Sequence, residues 1–148
     1  MEHITDADDR LVTTFGRLLE AHAALTRRAG RSLERECGIP QAWFEVLLRI
    51  SRADGGQVSM GALAQQVALT SGGITRLLDR MIDAGLVQRV PCPTDRRVLF
   101  AALTAQGNAK LAEALVVHTT DLRVVFDGFT GRDLDALDGL LNRLRDAR

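Results

Sequence analysis

The chain has 148 residues, of which 46% are hydrophobic and 26% charged, the size and balance of one globular domain with a core of its own. Its 19 basic residues are matched by 19 acidic ones, which excludes a general polyanion binder and leaves room only for a local basic edge. No apolar run approaches the ~18 residues of a membrane span, residues 1–10 lack the apolar stretch of a signal peptide, and two cysteines make no disulfide framework, so a cytoplasmic protein with no membrane partner is expected.

Aromatic residues make up 4% and Tyr is absent, so Leu, Ala and Val must fill the core, which suits helices packed on helices. Lys110 is the single lysine. Every other basic residue is an Arg, the side chain that forks onto phosphates and guanine edges.

In chain order, a first helix is expected after Asp6 as its N-cap. It carries Leu11, Phe15, Leu18, Leu25, Ala29 and Leu33 on one stripe and stops at Gly38. It is long for so small a domain, and a long amphipathic terminal helix serves an interface more often than a private core. Pro40 opens a second helix running to about Arg52, where Trp43, Phe44, Val46, Leu47, Leu48 and Ile50 cover most of the circumference. Asp54-Gly55-Gly56 breaks it. Ser59 caps a short helix with the stripe Met60, Leu63, Ala64, Val67. Thr70 caps another with Ile74, Leu77, Leu78, Met81, which Gly85 ends. Two short helices about a tight turn make a helix-turn-helix.

After Gly85 the period changes. Residues 86–90 and 98–103 are short and β-branched or aromatic enough for strands. Between them, Pro91 and Pro93 remove ladder donors, so residues 91–97 form the tip of a hairpin, the wing. Thr104 caps a long fifth helix with Leu111, Leu115, Leu122, Val125 and Phe126. Thr130 and Asp133 are spaced as a capping box for a last helix, with Phe129 and Leu134 as its staple and Leu137, Leu140, Leu141 and Leu144 on its stripe. The fold class is therefore mostly α with a small β-hairpin wing. One domain, 1–148, places a winged helix-turn-helix lobe (about 40–103) between long terminal helices (about 6–37 and 104–146), which are read as dimerisation helices.

The second helix of the pair begins with Thr70, Ser71, Gly72, Gly73, Thr75 and Arg76, small and polar as a helix entering the major groove requires. Small residues let backbone N–H groups approach a phosphate, and hydroxyls donate to phosphate oxygens. Arg76 is the first long donor on the exposed face, and Arg80, one turn on, is better placed for the DNA backbone. Ser59 joins this set at the start of the preceding helix. Two glycines and a pair of arginines would equally begin an ordinary surface helix; the hairpin that follows shifts the balance. At its tip, Arg96 and Arg97 can reach a minor groove, while Asp95 is unsuited to touch DNA and is expected to brace an arginine, with Arg89 one candidate.

The stretch from Ser59 to Gly107 resembles the multiple-antibiotic-resistance-regulator (MarR) family of bacterial transcription factors. The resemblance is carried by residues 69–76, Asp79-Arg80-Met81, residues 84–89, Pro93-Thr94-Asp95-Arg96-Arg97 and Leu103-Thr104-Ala105-Gln106-Gly107. Asp95-Arg96-Arg97 matches the family's Asp-x-Arg wing signature, and Leu103 to Gly107 its Leu-Thr-x-x-Gly. The resemblance implies a homodimer held by the first and last two helices, bound to double-stranded DNA at a pseudo-palindromic operator. It also implies a repressor under small-molecule or redox control, in a bacterial cytoplasm and at the nucleoid when bound.

In similar proteins effectors lodge between the dimer helices and the DNA-binding lobe. By that analogy His22, Trp43 and Leu47 are candidates to line a pocket for a small aromatic or phenolic compound. The plainer alternative makes Trp43 core and His22 an interface residue. Cys37 ends the first helix and Cys92 lies in the wing, where an exposed thiol can react, so a redox-responsive regulator using Cys92 is an alternative. His3, His22 and His118 have no metal-ligand spacing. There is no catalytic or cofactor motif, so neither an enzyme nor a cofactor is expected. From another class, a winged-helix module for protein–protein contacts remains, as does a ligand-binding protein without a DNA role, which the wing and recognition helix argue against.

Overall fold

The computed structural model describes residues 5–67 and 71–147. Helix α1 (Asp6–Cys37) is 32 residues long, about 48 Å at 1.5 Å per residue. Its N-cap is Thr5 rather than Asp6: Thr5 is extended and its hydroxyl accepts the N–H of Asp8 at 3.2 Å. Asp6, Asp8 and Asp9 fall inside the first turn, where the positive end of the helix dipole favours carboxylates. Gly38, at φ 67°, turns the chain out of α1 and donates its N–H to the carbonyl of Glu34.

Helix α2 (Gln41–Arg52) runs to a short 3-10 turn (Asp54–Gly56). There follow β1 (Gln57–Ser59), α3 (Met60–Gln66), α4 (Ser71–Asp83), β2 (Val87–Pro91), β3 (Leu99–Leu103), α5 (Ala105–Val125) and α6 (Gly131–Arg145). The expected side-chain caps at Ser59, Thr104 and Thr130 are all made, and Asp133 completes the box on Thr130. The cap expected at Thr70 lies outside the described residues.

The sheet has the order β1-β3-β2 and is antiparallel throughout. Its strand β1 is absent from the sequence expectation, because three residues show no period. Val58 faces Ala101 and fills the core, so packing against β3 makes it a strand. Pro91, expected in the loop, instead closes β2 opposite Leu99; β2 is an edge strand, where a missing N–H is tolerated.

The core belongs to the central lobe. Leu47, Ile50, Leu63, Ile74, Leu78 and Met81 are sealed in it, joined by Leu33 and Cys37 from the end of α1 and Leu111 and Ala114 from the start of α5. The first half of α1 and all of α6 bury nothing. Leu11, Val12 and Phe15 are 61–69% exposed, and Leu140 and Leu144 are 54% and 59% exposed.

Candidate nucleic-acid interface

Helices α3 and α4 flank residues 68–70. Ser59 caps α3 through its hydroxyl, which accepts the N–H of Ala62 at 3.2 Å. On α4 the periodicity separates two faces: Ile74, Leu78 and Met81 point into the core, whereas Gly72, Thr75, Arg76, Asp79 and Arg80 are exposed and Gly73 is half-buried. Thr70, and the side chain of Ser71, lie outside the described residues. Sequence expectation and structure thus agree on which face of α4 is exposed.

The wing tip is organised by Asp95. Its carboxylate accepts the backbone N–H of Arg97 at 3.0 Å and lies 3.5 Å from that residue's Nε, while its carbonyl accepts the N–H of Val98. Asp95 therefore folds the loop on itself, as Asx turns do. The Arg97 side chain projects from this turn, 93% exposed, with Arg96 exposed beside it. The arginine beside Asp95 is Arg97; Arg89, one candidate for that place, pairs instead with Asp79 of α4. Arg89 lies in the middle of β2, opposite Ala101, two residues short of the strand end that leads to the tip. That ion pair ties the recognition-helix candidate to the hairpin, a role that sequence reasoning missed.

Cys92 also lies in the wing, its Sγ 3.3 Å from the Thr94 hydroxyl. Hydrogen bonding to that hydroxyl and to the backbone N–H groups of Thr94 and Asp95 lowers the thiol's pKa. Burial raises that of Cys37.

The residues of Leu-Thr-x-x-Gly close the far end of the recognition helix. Thr104 donates its hydroxyl to the carbonyl of Gly85 at 2.5 Å and its N–H to that of Leu86 at 3.1 Å, and the same hydroxyl accepts the N–H of Gly107. Gly107 is there because Leu86 passes so close: a Cβ at 107 would lie 2.9 Å from the Leu86 carbonyl carbon. The start of α5 is thereby locked to the end of α4.

Away from this surface, α1, α2 and α5 enclose a cavity of about 130 Å³ lined by His22 together with Leu25, Arg28, Gln41, His118 and Asp121. Arg28 stands 3.5 Å from Asp121, and the His118 ring packs on Phe44 at 4.9 Å. Burial lowers the imidazole pKa of His118, against a smaller opposing pull from Asp121. The expected grouping of His22, Trp43 and Leu47 is not made. Leu47 is wholly enclosed in the core and Trp43 packs against it, so neither borders this cavity. On a helix buried around most of its circumference, an apolar side chain is drawn into the core and leaves the polar Gln41 to face the crevice.

The solved structure of AbsC, a MarR family transcriptional regulator from Streptomyces coelicolor, superposes on 99% of this chain and 97% of its own with a TM-score of 0.82 at 28% identity. Residues 38–98, which span α2 to the wing, match the family model described as the MarR family. Over this stretch the chain is similar to the MarR family. A second family member from S. coelicolor, Sco3205, solved in complex with DNA, matches 99% of the chain and 91% of its own at 25% identity, with a TM-score of 0.83. The HTH-type transcriptional regulator YsmB of Bacillus subtilis is 27% identical over 145 residues, 98% of this chain and 92% of that protein. All three of these relatives are transcriptional regulators. Among the described residues no helix is long and apolar enough to cross a membrane.

Proposed function

We propose that the chain acts as a homodimer that binds a pseudo-palindromic operator, represses transcription from it, and is released by a small molecule. The observation that carries this is the apolar face left uncovered on α1 and α6, at the two ends of the chain. Large apolar patches of this kind mark a protein interface, and the same patch on a second copy satisfies a two-fold axis. Two-fold symmetry then presents two α4 helices and two wings to one face of the duplex, about 34 Å apart.

In this arrangement Gly72, Gly73, Ser71, Thr75 and Arg76 enter the major groove, with Ser59, Thr70 and Arg80 on the flanking backbone. Arg96 and Arg97 approach the minor groove while Asp95 holds their turn. That Sco3205, similar over 99% of this chain, was solved in complex with DNA supports a DNA-binding role. An effector in the α1–α2–α5 crevice would act by changing how α5, and through Thr104 the end of α4, sits against the dimer helices.

Sedimentation and footprinting test the proposal. A dimer at micromolar protein, a two-fold protected site and a steep fall of affinity with salt are expected. A monomer, or an affinity that does not respond to salt, overturns it, and the second result would favour a protein–protein module.

A further inference from the structure

We infer that the α1–α2–α5 crevice selects a neutral single-ring compound carrying N–H donors beside a carbonyl, an aryl carboxamide or a lactam, over an anionic one. This rests on the effector reading above and names the ligand class. Among the described residues, the buried side-chain nitrogen and oxygen atoms without a hydrogen-bond partner are Arg28 Nε, Gln41 Oε1, His118 Nδ1 and Asp121 Oδ2. All four residues line this one cavity. Buried polar atoms are nearly always paired, so four orphans on residues that line one cavity, two of them within the loose Arg28–Asp121 pair, point to a molecule that draws these side chains toward it.

Their chemistry restricts that molecule. Gln41 donates its Nε2 to Glu45 at 3.3 Å, which leaves its carbonyl oxygen as a free acceptor. Asp121 presents a second acceptor, and Arg28 Nε is a donor. A carboxamide supplies two N–H donors and one carbonyl acceptor on a single planar edge, the complement of this set. Charge points the same way. Arg28 is already offset by Asp121, and burial favours the neutral form of His118, so the wall carries no net charge. An anion entering here would lose its hydration and meet two oxygen acceptors. The rest of the lining includes Leu25, Leu122 and Val125, and about 130 Å³ is close to the volume that accepts one benzene-sized ring.

Benzamide and benzoate share a shape and differ in charge and donors, and they serve as probes with the full-length protein and no DNA. A ¹H–¹⁵N titration follows the Gln41 side-chain amide and the His118 ring. Benzamide should saturate both at about tenfold lower concentration than benzoate. Asp121→Asn frees the Arg28 charge and should reverse that order. Gln41→Met removes one acceptor, and should weaken benzamide about three- to tenfold while leaving benzoate unchanged; it decides the matter if Asp121→Asn does not fold. Equal or tighter benzoate binding to the unaltered protein overturns the inference. So does saturation of neither signal, which would mean that the crevice holds only water. Benzamide that binds as expected yet leaves DNA affinity unchanged upholds the ligand class and removes the effector role, so the two can fail separately.

Discussion

Gly107→Ala should be among the most damaging single-methyl changes in the protein. The added carbon would lie 2.9 Å from the carbonyl carbon of Leu86 and 3.4 Å from its Cα, and closer still to its oxygen. Non-bonded carbons rest at about 3.5–4.0 Å, and here the neighbour is backbone, which cannot rotate aside. Leu86 or the first turn of α5 must move. The bonds from Thr104 N–H to Leu86 and from the Thr104 hydroxyl to Gly85 then lengthen together. Overpacking of this kind costs about 1–3 kcal/mol. One or two weakened hydrogen bonds add about 1 kcal/mol each, for a total of roughly 2–5 kcal/mol.

For a chain of this length that corresponds to a fall in Tm of roughly 5–15 °C, read at fixed protein concentration because the stability of the proposed dimer depends on it. Leu86 leads directly into β2, so its displacement also shifts the wing against α4, and DNA affinity should fall even at temperatures where the variant is folded. Gly139→Ala is the comparison: a Cβ there meets nothing within 4 Å, and alanine in a helix should raise stability by about 0.5–1 kcal/mol. A Tm within about 1 °C of the parent for Gly107→Ala, with unchanged DNA binding, would show that the junction does not hold the recognition helix.

Arg97→Ala should weaken DNA binding and make its salt dependence shallower by about one unit. Asp95→Ala should weaken it too, although a negative charge is removed, because Arg97 loses its turn; tighter binding at an unchanged Tm would refute the bracing role. The thiol of Cys92 should react with a disulfide reagent well before that of Cys37, because the Thr94 bonds lower the first pKa and burial raises the second; equal rates in the native protein would contradict this. His118 should make stability fall in mild acid. Its folded pKa lies below the ordinary 6.5, so the unfolded chain takes up the proton first as pH drops, and stability present above that value is lost on the way down to the folded pKa. His118→Gln should flatten the dependence in urea melts, and an unaltered pH profile would count against it.

Local chemistry explains what was legible beforehand. Caps at Ser59, Thr104 and Thr130, stops at Gly38 and Gly85, and the stripes of α1 to α6 depend on neighbours within a few residues, so spacing alone reveals them. The same holds for the exposed face of α4; at Asp95 the bracing of an arginine was legible, while the turn onto the Arg97 and Val98 N–H groups was not. Strand β1 could not be seen in that way, since its pairing lies more than forty residues downstream on β3. Thr5 displaced Asp6 as the cap because both can serve, and only the backbone angles separate them.

The crevice was illegible for a stronger reason. Arg28, Gln41, His118 and Asp121 come from α1, α2 and α5, and each by itself is an ordinary residue on an ordinary helix. Trp43 and Leu47 drew attention because large apolar side chains stand out on α2, and those same properties carry them into the core. A polar cluster becomes a site only when helices distant in sequence close around it, and its mark is the failure of those atoms to find partners in one another. The crevice touches the C-terminal half of α5 at His118, Asp121, Leu122 and Val125, and the other end of that helix is capped by Thr104, which bonds to the carbonyls of Gly85 and Leu86 just past α4. In the proposed mechanism a molecule that spreads α1 from α5 would tilt α5 as a rigid rod and so reach α4 through the Thr104 hydrogen bonds, without touching DNA.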